Sequence, residues 1–203
     1  MSISGVSKLA KMEVQDPSII EYFEMIDSAT VKLDDFIYKM LDFYRSTKIE
    51  HKISEINFKN LVSQQMEAYH AKFDLTHFHI VVQVNQTYAF YSDESKIRVI
   101  LNNLFSNSVQ FQKHELGPKE IRLSIDVIES DAIITVEDNG IGIEAKHHPE
   151  VFNLFMRATQ KNVGTGLGLY MVKEAVEQMG GRIDLESALN EGTMIRVTLP
   201  SMK

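Results

Sequence analysis

The sequence predicts an α+β protein in which a two-layer α/β sandwich, a mixed sheet covered on one face by helices, follows a helical hairpin. Three observations carry that reading. An early apolar seam repeats at spacings of four and three, and stretches of period-two alternation then mix with helical patterns. Three glycines at alternate positions, Gly164, Gly166 and Gly168, open directly into an amphipathic helical pattern that reaches Met179.

The hairpin comes first. Ile3 to Glu13 has a short helical pattern, and Asp16-Pro17-Ser18 breaks the chain and starts a second helix running to Arg45. On that helix Tyr22, Ile26, Ala29, Leu33, Phe36, Met40 and Phe43 form a seam of the coiled-coil or bundle type. The first helix is too short to cover it, so a second copy of the chain is the expected partner, with packing on the chain's own core as the alternative.

Arg45 to Lys52 is a polar connector, after which Glu55 to Phe58 reads as a short strand and the pattern turns helical through Ala71. His79 to Val84 and Tyr88 to Tyr91 read as strands, and Ser92 or Asp93 caps a helix to Phe111. Lys119 to Ile128 and Ala132 to Glu137 alternate around Glu129-Ser130-Asp131, the pattern of a β-hairpin. A looser segment from Gly140 leads to the glycine run. Gly180-Gly181 closes the helix that follows it, and the strands Arg182 to Ser187 and Thr193 to Leu199 finish the chain.

Composition narrows the function classes. A chain of 203 residues with 44% hydrophobic content can bury a core. Its net charge of −7 offers no basic field for a phosphodiester backbone, so nucleic acid is not an expected partner. Without cysteine there is no disulfide, thiol catalysis or cysteine-bound zinc. No leader and no run of membrane-spanning length stands out, so the expected location is cytoplasmic, on a parent that is anchored or not.

The residues with chemical potential lie in the second half. Asn103 and Asn107, four apart, share a helix face. An amide oxygen suits magnesium that keeps waters and takes phosphate oxygens elsewhere, although solvated or capping asparagines would look the same. Glu137-Asp138-Asn139-Gly140-Ile141-Gly142 ends an alternating strand. Asn-Gly alone is a turn signal, but the second glycine extends the permissive backbone and Asp138 stands where a strand delivers a carboxylate to a cleft. A carboxylate only accepts hydrogen bonds, which selects a base with an exocyclic amine such as adenine. Phe152 and Phe155, with Arg157 following, read by themselves as a short helical turn anchored in the core, and Ala158 to Val163 as a mobile lid.

The glycine run can hold phosphate, because glycines admit an anion to the backbone and the first amides of a helix point outward unpaired. Its spacing is not that of a dinucleotide fingerprint, no Gly-Lys-Ser or Gly-Lys-Thr of a Walker loop occurs, and the serine, threonine and tyrosine kinase signatures are missing.

The order of these motifs, an Asn-bearing helix, Asp-Asn-Gly-Ile-Gly, Phe-x-x-Phe-x-Arg and Gly-Thr-Gly-Leu-Gly-Leu, resembles the ATP-binding catalytic domain of sensor histidine kinases. That domain has the Bergerat-type fold of the superfamily shared with DNA gyrase, heat-shock chaperone and mismatch-repair ATPases. The resemblance implies two domains: residues 1–47, part of a dimerisation and phosphoacceptor hairpin, and residues 48–203, the ATP-binding catalytic domain. It implies ATP and magnesium as ligands, with Asn107 binding the metal and Asn103 beside it on the catalytic helix. Asp138 would bind the adenine amine, Gly140 and Gly142 would shape the adenine pocket, and Thr193 would support Asp138. Gly164, Thr165, Gly166, Leu167 and Gly168 would hold the phosphates with Arg157. It further implies a response-regulator receiver domain as a partner and a homodimer through the N-terminal helices.

Departures from the family pattern set the remaining expectations. Gln110 stands where the family commonly has a basic residue, and Val163 where it has a further glycine. Both leave open a second reading, a catalytically weak nucleotide-dependent switch or dimerisation module. The hydrolases of the superfamily carry a water-activating glutamate one turn before the metal asparagine; here that position is Asn103, which favours phosphoryl transfer over hydrolysis. The family's acceptor histidine and its Arg-x-Pro signature are not found, since all seven histidines fall at His51 or later. The chain is therefore expected to be a fragment beginning after the acceptor site. His77 with His79, and His147 with His148, lack zinc-site spacing.

Overall fold

A computed structural model describes residues 2–48, 52–113, 117–156 and 166–202. The chain divides into two compact units, Met1–Lys48 and Ile49–Lys203. In the first, α1 (Ile3–Glu13) and α2 (Pro17–Lys48) form a hairpin. Ser2 caps α1 by accepting from the Gly5 amide, while the Asp16 carboxylate accepts from the Ser18 amide at 2.9 Å and its hydroxyl at 2.7 Å, with Pro17 opening α2. Those bonds hold the Asp16 carboxyl below its ordinary range. A Lys11–Asp27 ion pair and a hydrogen bond from the buried Ser7 to the Phe23 carbonyl join the helices. The seam residues Tyr22, Ile26 and Leu33 remain 64%, 42% and 51% exposed, so α1 does not cover them.

In the second unit the strands are β1 (Ile53–Glu55), β2 (Phe78–Gln86), β3 (Tyr91–Asp93), β4 (Lys119–Ile128), β5 (Asp131–Asp138), β6 (Arg182–Ala188) and β7 (Gly192–Pro200). The helices are α3 (Phe58–Lys72), α4 (Glu94–Gln110) and α5 (Gly168–Gln178), with a 3-10 turn at Ala145–His147. Five strands make a mixed sheet in the order β2-β4-β5-β7-β6, with β2 and β4 parallel and the other neighbours antiparallel. A parallel pair needs a crossover, which the segment carrying α4 supplies.

The alternation read in the sequence is the sheet's two faces. Ile121, Leu123, Ile125 and Val127 of β4, Ala132, Ile134 and Val136 of β5, and Ile195, Val197 and Leu199 of β7 are buried together. Against them pack Phe58, Leu61, Val62 and Tyr69 of α3, Ile97, Ile100, Leu104 and Phe105 of α4, and Val172, Ala175 and Val176 of α5. Fully burying each such large apolar side chain contributes about 1.5 to 3 kcal/mol. The opposite face carries polar contacts such as Arg122 with Glu137 and Asn85 with Asp126.

The α+β two-layer architecture is as the sequence predicts, with three local corrections. The segment 88–91 is not a strand of the sheet: the extended residues are Tyr91–Asp93, paired with β1 in a separate ribbon, and Asp93 then caps α4 by accepting from the Ser95 and Lys96 amides. The strand expected at Glu55 to Phe58 lies earlier, because Asn57 accepts from the Asn60 amide and makes Phe58 the first residue of α3. Val151 to Phe155 forms turns rather than a helical turn anchored by two phenylalanines; Val151 is buried, Phe155 has φ of 65° and its side chain is 57% exposed.

Candidate functional site

Asp138 is the last residue of β5, a strand flanked on both sides, so its carboxylate is fixed by the register. Its Oδ1 accepts from the Gly140 amide at 2.9 Å and its Oδ2 from the Ser108 hydroxyl at 2.9 Å. The backbone amide of Thr193, its register partner on β7, adds a third donor. Burial pushes the Asp138 carboxyl above its ordinary value; the Gly140, Ser108 and Thr193 donors oppose that rise, and the Glu137 charge adds to it. The group is a desolvated acceptor at the mouth of a glycine-shaped loop.

The loop has no room for side chains. A Cβ on Gly140 would lie 2.4 Å from the Phe111 carbonyl oxygen and 2.8 Å from Asp138 Oδ1. Gly142 has φ of +64°, and a Cβ there would meet the Ala188 carbonyl oxygen at 1.9 Å. The Ile141 amide donates to the Phe111 carbonyl at 2.9 Å, and the Asn190 amide to the Ile141 carbonyl at 2.7 Å. The loop is thus laced to the end of α4 on one side and to the β6-β7 turn on the other.

Asn103 and Asn107 face the start of α5. Both Oδ1 atoms lie 3.3 Å from the position a Cβ on Gly168 would take. Asn103 donates its Nδ2 to the Val99 carbonyl at 2.8 Å, which turns its oxygen away from its own helix backbone. Gly168 is the first residue of α5, whose N-terminus has no side-chain cap, so its first amides are not spent on a local side chain. Gly166 has φ of +72° and backs onto Phe155 and Met156. Leu167 is fully buried and anchors the turn. Arg157, Gly164, Thr165 and the lid segment 158–163 lie outside the described residues.

Thr193 lies beside Asp138 on the neighbouring strand β7. Its backbone meets Asp138, while its hydroxyl lies 3.0 Å from the Ser187 hydroxyl. Ser187 also donates to the Gly192 carbonyl and accepts from the Ile143 amide, each at 2.8 Å. Neither Ser187 nor Ser108 stood out in the sequence, since a lone serine carries no periodic signal and each meets a partner at least thirty positions away through Ile143 and Asp138. Among the described residues no group of three or more His, Cys, Asp or Glu side chains converges as a metal cage. A magnesium ion would fit as a shared ligand: one hard amide oxygen from Asn107, the rest from phosphate and water.

The strand-end carboxylate, the glycine loop and the uncapped helix start define a nucleotide-binding ATPase fold. Residues 92–203, more than half of the chain, match the family of histidine kinase-, DNA gyrase B- and HSP90-like ATPases, and the chain belongs to that family. Within it the chain carries the ATP-binding catalytic domain of histidine-kinase type. The autoinducer 2 sensor kinase/phosphatase LuxQ of Vibrio cholerae is 30% identical over 98% of this chain and 24% of its own length. The methanogenesis regulatory histidine kinase FilI of Methanothrix harundinacea is 28% identical over 87% of this chain and 20% of its own length. The chain therefore spans about a quarter or less of the length of these relatives. The fold is shared with full-length ShkA in complex with AMPPNP at a TM-score of 0.71 and 21% identity, covering 98% of this chain and 42% of that one. It is shared with the Acinetobacter baumannii histidine kinase AdeS at 0.69 and 16% identity, covering 99% and 94%. Among the described residues no helix is long and apolar enough to cross a membrane.

Proposed function

We propose that this chain binds Mg-ATP between α4, α5 and the sheet and transfers the γ-phosphate to a histidine on a helix not among these residues, for relay to a response-regulator receiver domain. The observation that carries the reading is that one helix reaches both candidate ends of the site: α4 presents Asn107 to the uncapped start of α5 and, one residue on, Ser108 to Asp138. Asp138 accepts from the adenine amine, and Gly140 and Gly142 shape the pocket by letting its loop close on Phe111 and Ala188. Asn107 is the magnesium ligand, and the ion when bound neutralises phosphate charge. Gly164, Thr165, Gly166, Leu167 and Gly168 offer backbone to the phosphates, and Arg157 is their cation. The work left to the protein is positioning and charge stabilisation, because phosphoryl transfer asks little covalent chemistry of it. Asn103 supplies no general base, which favours transfer over hydrolysis.

Residues 1–47 act in this proposal as a dimerisation hairpin, supported by the exposed Tyr22, Ile26 and Leu33, and residues 48–203 as the catalytic domain. The cytoplasm, where ATP is supplied, is the proposed location. Asp138→Ala, which removes a charge-assisted hydrogen bond of about 1.5 to 3 kcal/mol, is expected to weaken ATP binding about ten- to a hundredfold by calorimetry. Mixing the chain with a separate acceptor-helix polypeptide and labelled ATP is expected to yield phosphohistidine. Equal affinity in the variant sinks the adenine assignment, and steady ATP turnover without phosphohistidine sinks the kinase reading.

A further inference from the structure

We propose that Ser108 is a positioning residue for nucleobase selection, aiming the Asp138 carboxylate at the exocyclic amine of the base. The inference rests on the proposed nucleotide site and deepens it. Ser108 is 3% exposed, and its hydroxyl donates to Asp138 Oδ2 at 2.9 Å. The Gly140 amide holds Oδ1 at 2.9 Å and the Thr193 amide adds a third donor, so the plane of the group is set by the loop, α4 and β7 together.

The surroundings make Ser108 the donor anchored outside the loop. Gly140 is only two residues from Asp138 and its amide moves with the loop, whereas Ser108 belongs to α4 and reaches across from 30 positions earlier. The Gln112 side chain donates to the Ser108 carbonyl at 2.6 Å, and the Ile141 amide donates to the Phe111 carbonyl at 2.9 Å, so the last turn of α4 is locked to the base loop. The hydroxyl therefore fixes the carboxylate relative to the same helix that carries Asn107. A carboxylate oxygen can accept a second hydrogen bond, so the Ser108 contact orients Oδ2 without consuming its capacity for a base amine. The charged side chain acting on Asp138 is Glu137 on its own strand, itself paired with Arg122 of β4, while the α4 and β7 neighbours Ser108, Gln112 and Thr193 are uncharged.

The test compares two nucleotides on the full chain, ATP and the 6-unsubstituted purine riboside triphosphate, each with magnesium and each titrated calorimetrically. Ser108→Ala is expected to weaken ATP binding about three- to tenfold and to leave the amine-free nucleotide within about twofold, because only the amine uses the oriented oxygen. Ser108→Thr, which keeps the hydroxyl, is expected to restore ATP binding. Ser108→Cys, near in volume but a weak donor, is expected to behave as the alanine variant and serves if alanine fails to fold. An equal loss for both nucleotides means that Ser108 only supports the fold, and no loss for either means that it does not orient the carboxylate; both overturn the proposal. Asp138→Ala separates the two levels. If that variant weakens both nucleotides equally, the adenine assignment itself is wrong, whereas if it weakens ATP alone and the serine variants do not, only the role of Ser108 falls.

Discussion

Replacing Gly168 with alanine separates fold stability from ligand binding in one substitution. Gly168 is in α5 with no left-handed φ, so alanine meets no backbone strain there and favours the helix by up to about 1 kcal/mol. The added Cβ lies 3.3 Å from the amide oxygens of Asn103 and Asn107 and 3.4 Å from Asn107 Nδ2, which obliges those side chains to yield by a few tenths of an ångström. Two flexible amides can do so at little cost, and the unfolding temperature of the free protein is expected to stay within about 4 °C of wild type. One of the two amides that yield, Asn107, is the proposed magnesium ligand, and the methyl sits where the phosphates would approach α5. Losing one hydrogen bond to a charged group, about 1.5 kcal/mol, predicts roughly tenfold weaker Mg-ATP binding. Thermal unfolding without nucleotide and calorimetric titration with Mg-ATP measure the two quantities on the same sample. Unchanged Mg-ATP affinity in a folded Gly168→Ala variant would refute placing the metal and phosphates between α4 and α5.

Other expectations follow from the same geometry. Gly142→Ala combines a left-handed φ with a 1.9 Å approach to the Ala188 carbonyl oxygen, so a loss of at least about 2 kcal/mol and a fall of about 4 to 8 °C in Tm are expected, and a wild-type melt counts against the loop's tight packing. Because burial raises the Asp138 carboxyl above 3.8, the folded state binds more protons than the unfolded one between that value and its raised one. Asp138 therefore lowers stability as pH rises through that window, and the loss persists above it. Asp138→Asn is expected to melt higher than wild type at neutral pH and no higher below the window; a series of thermal melts across pH checks the sign. Asn107→Ala is expected to remove most of the strengthening that magnesium gives to ATP binding, measured by titrations with magnesium and with a chelator, and an undiminished magnesium effect assigns the ion elsewhere.

The β4-β5 hairpin and the β6-β7 pair were legible because each strand turns one face to the core, fully buried in β4, β5 and β7 and half-buried in β6, which writes period-two alternation into the sequence. The Asp138 to Gly142 loop was legible for a related reason: its conformation is a local demand, and glycine at +64° leaves a mark in one residue type. Elements whose identity depends on a distant partner were read less well. The segment around Tyr88 has strand-forming residues, yet the partner that makes extended structure is β1, which pairs with Tyr91–Asp93, and the Asp93 cap ends it there. Phe152 and Phe155 share helical spacing, but the chain turns at Phe155 instead and leaves that ring exposed.

What the sequence by itself determined was the fold class, and it marked the glycine run and Asp138 as the candidates for phosphate and base, since periodicity, turn residues and functional groups are properties of neighbours along the chain. Only the tertiary structure decided that α4 carries Asn107 to the start of α5 and Ser108 to Asp138, 30 positions ahead of its partner. Such a contact depends on strand order and helix packing, which depend on the burial of one shared core and leave no pattern at the serine itself.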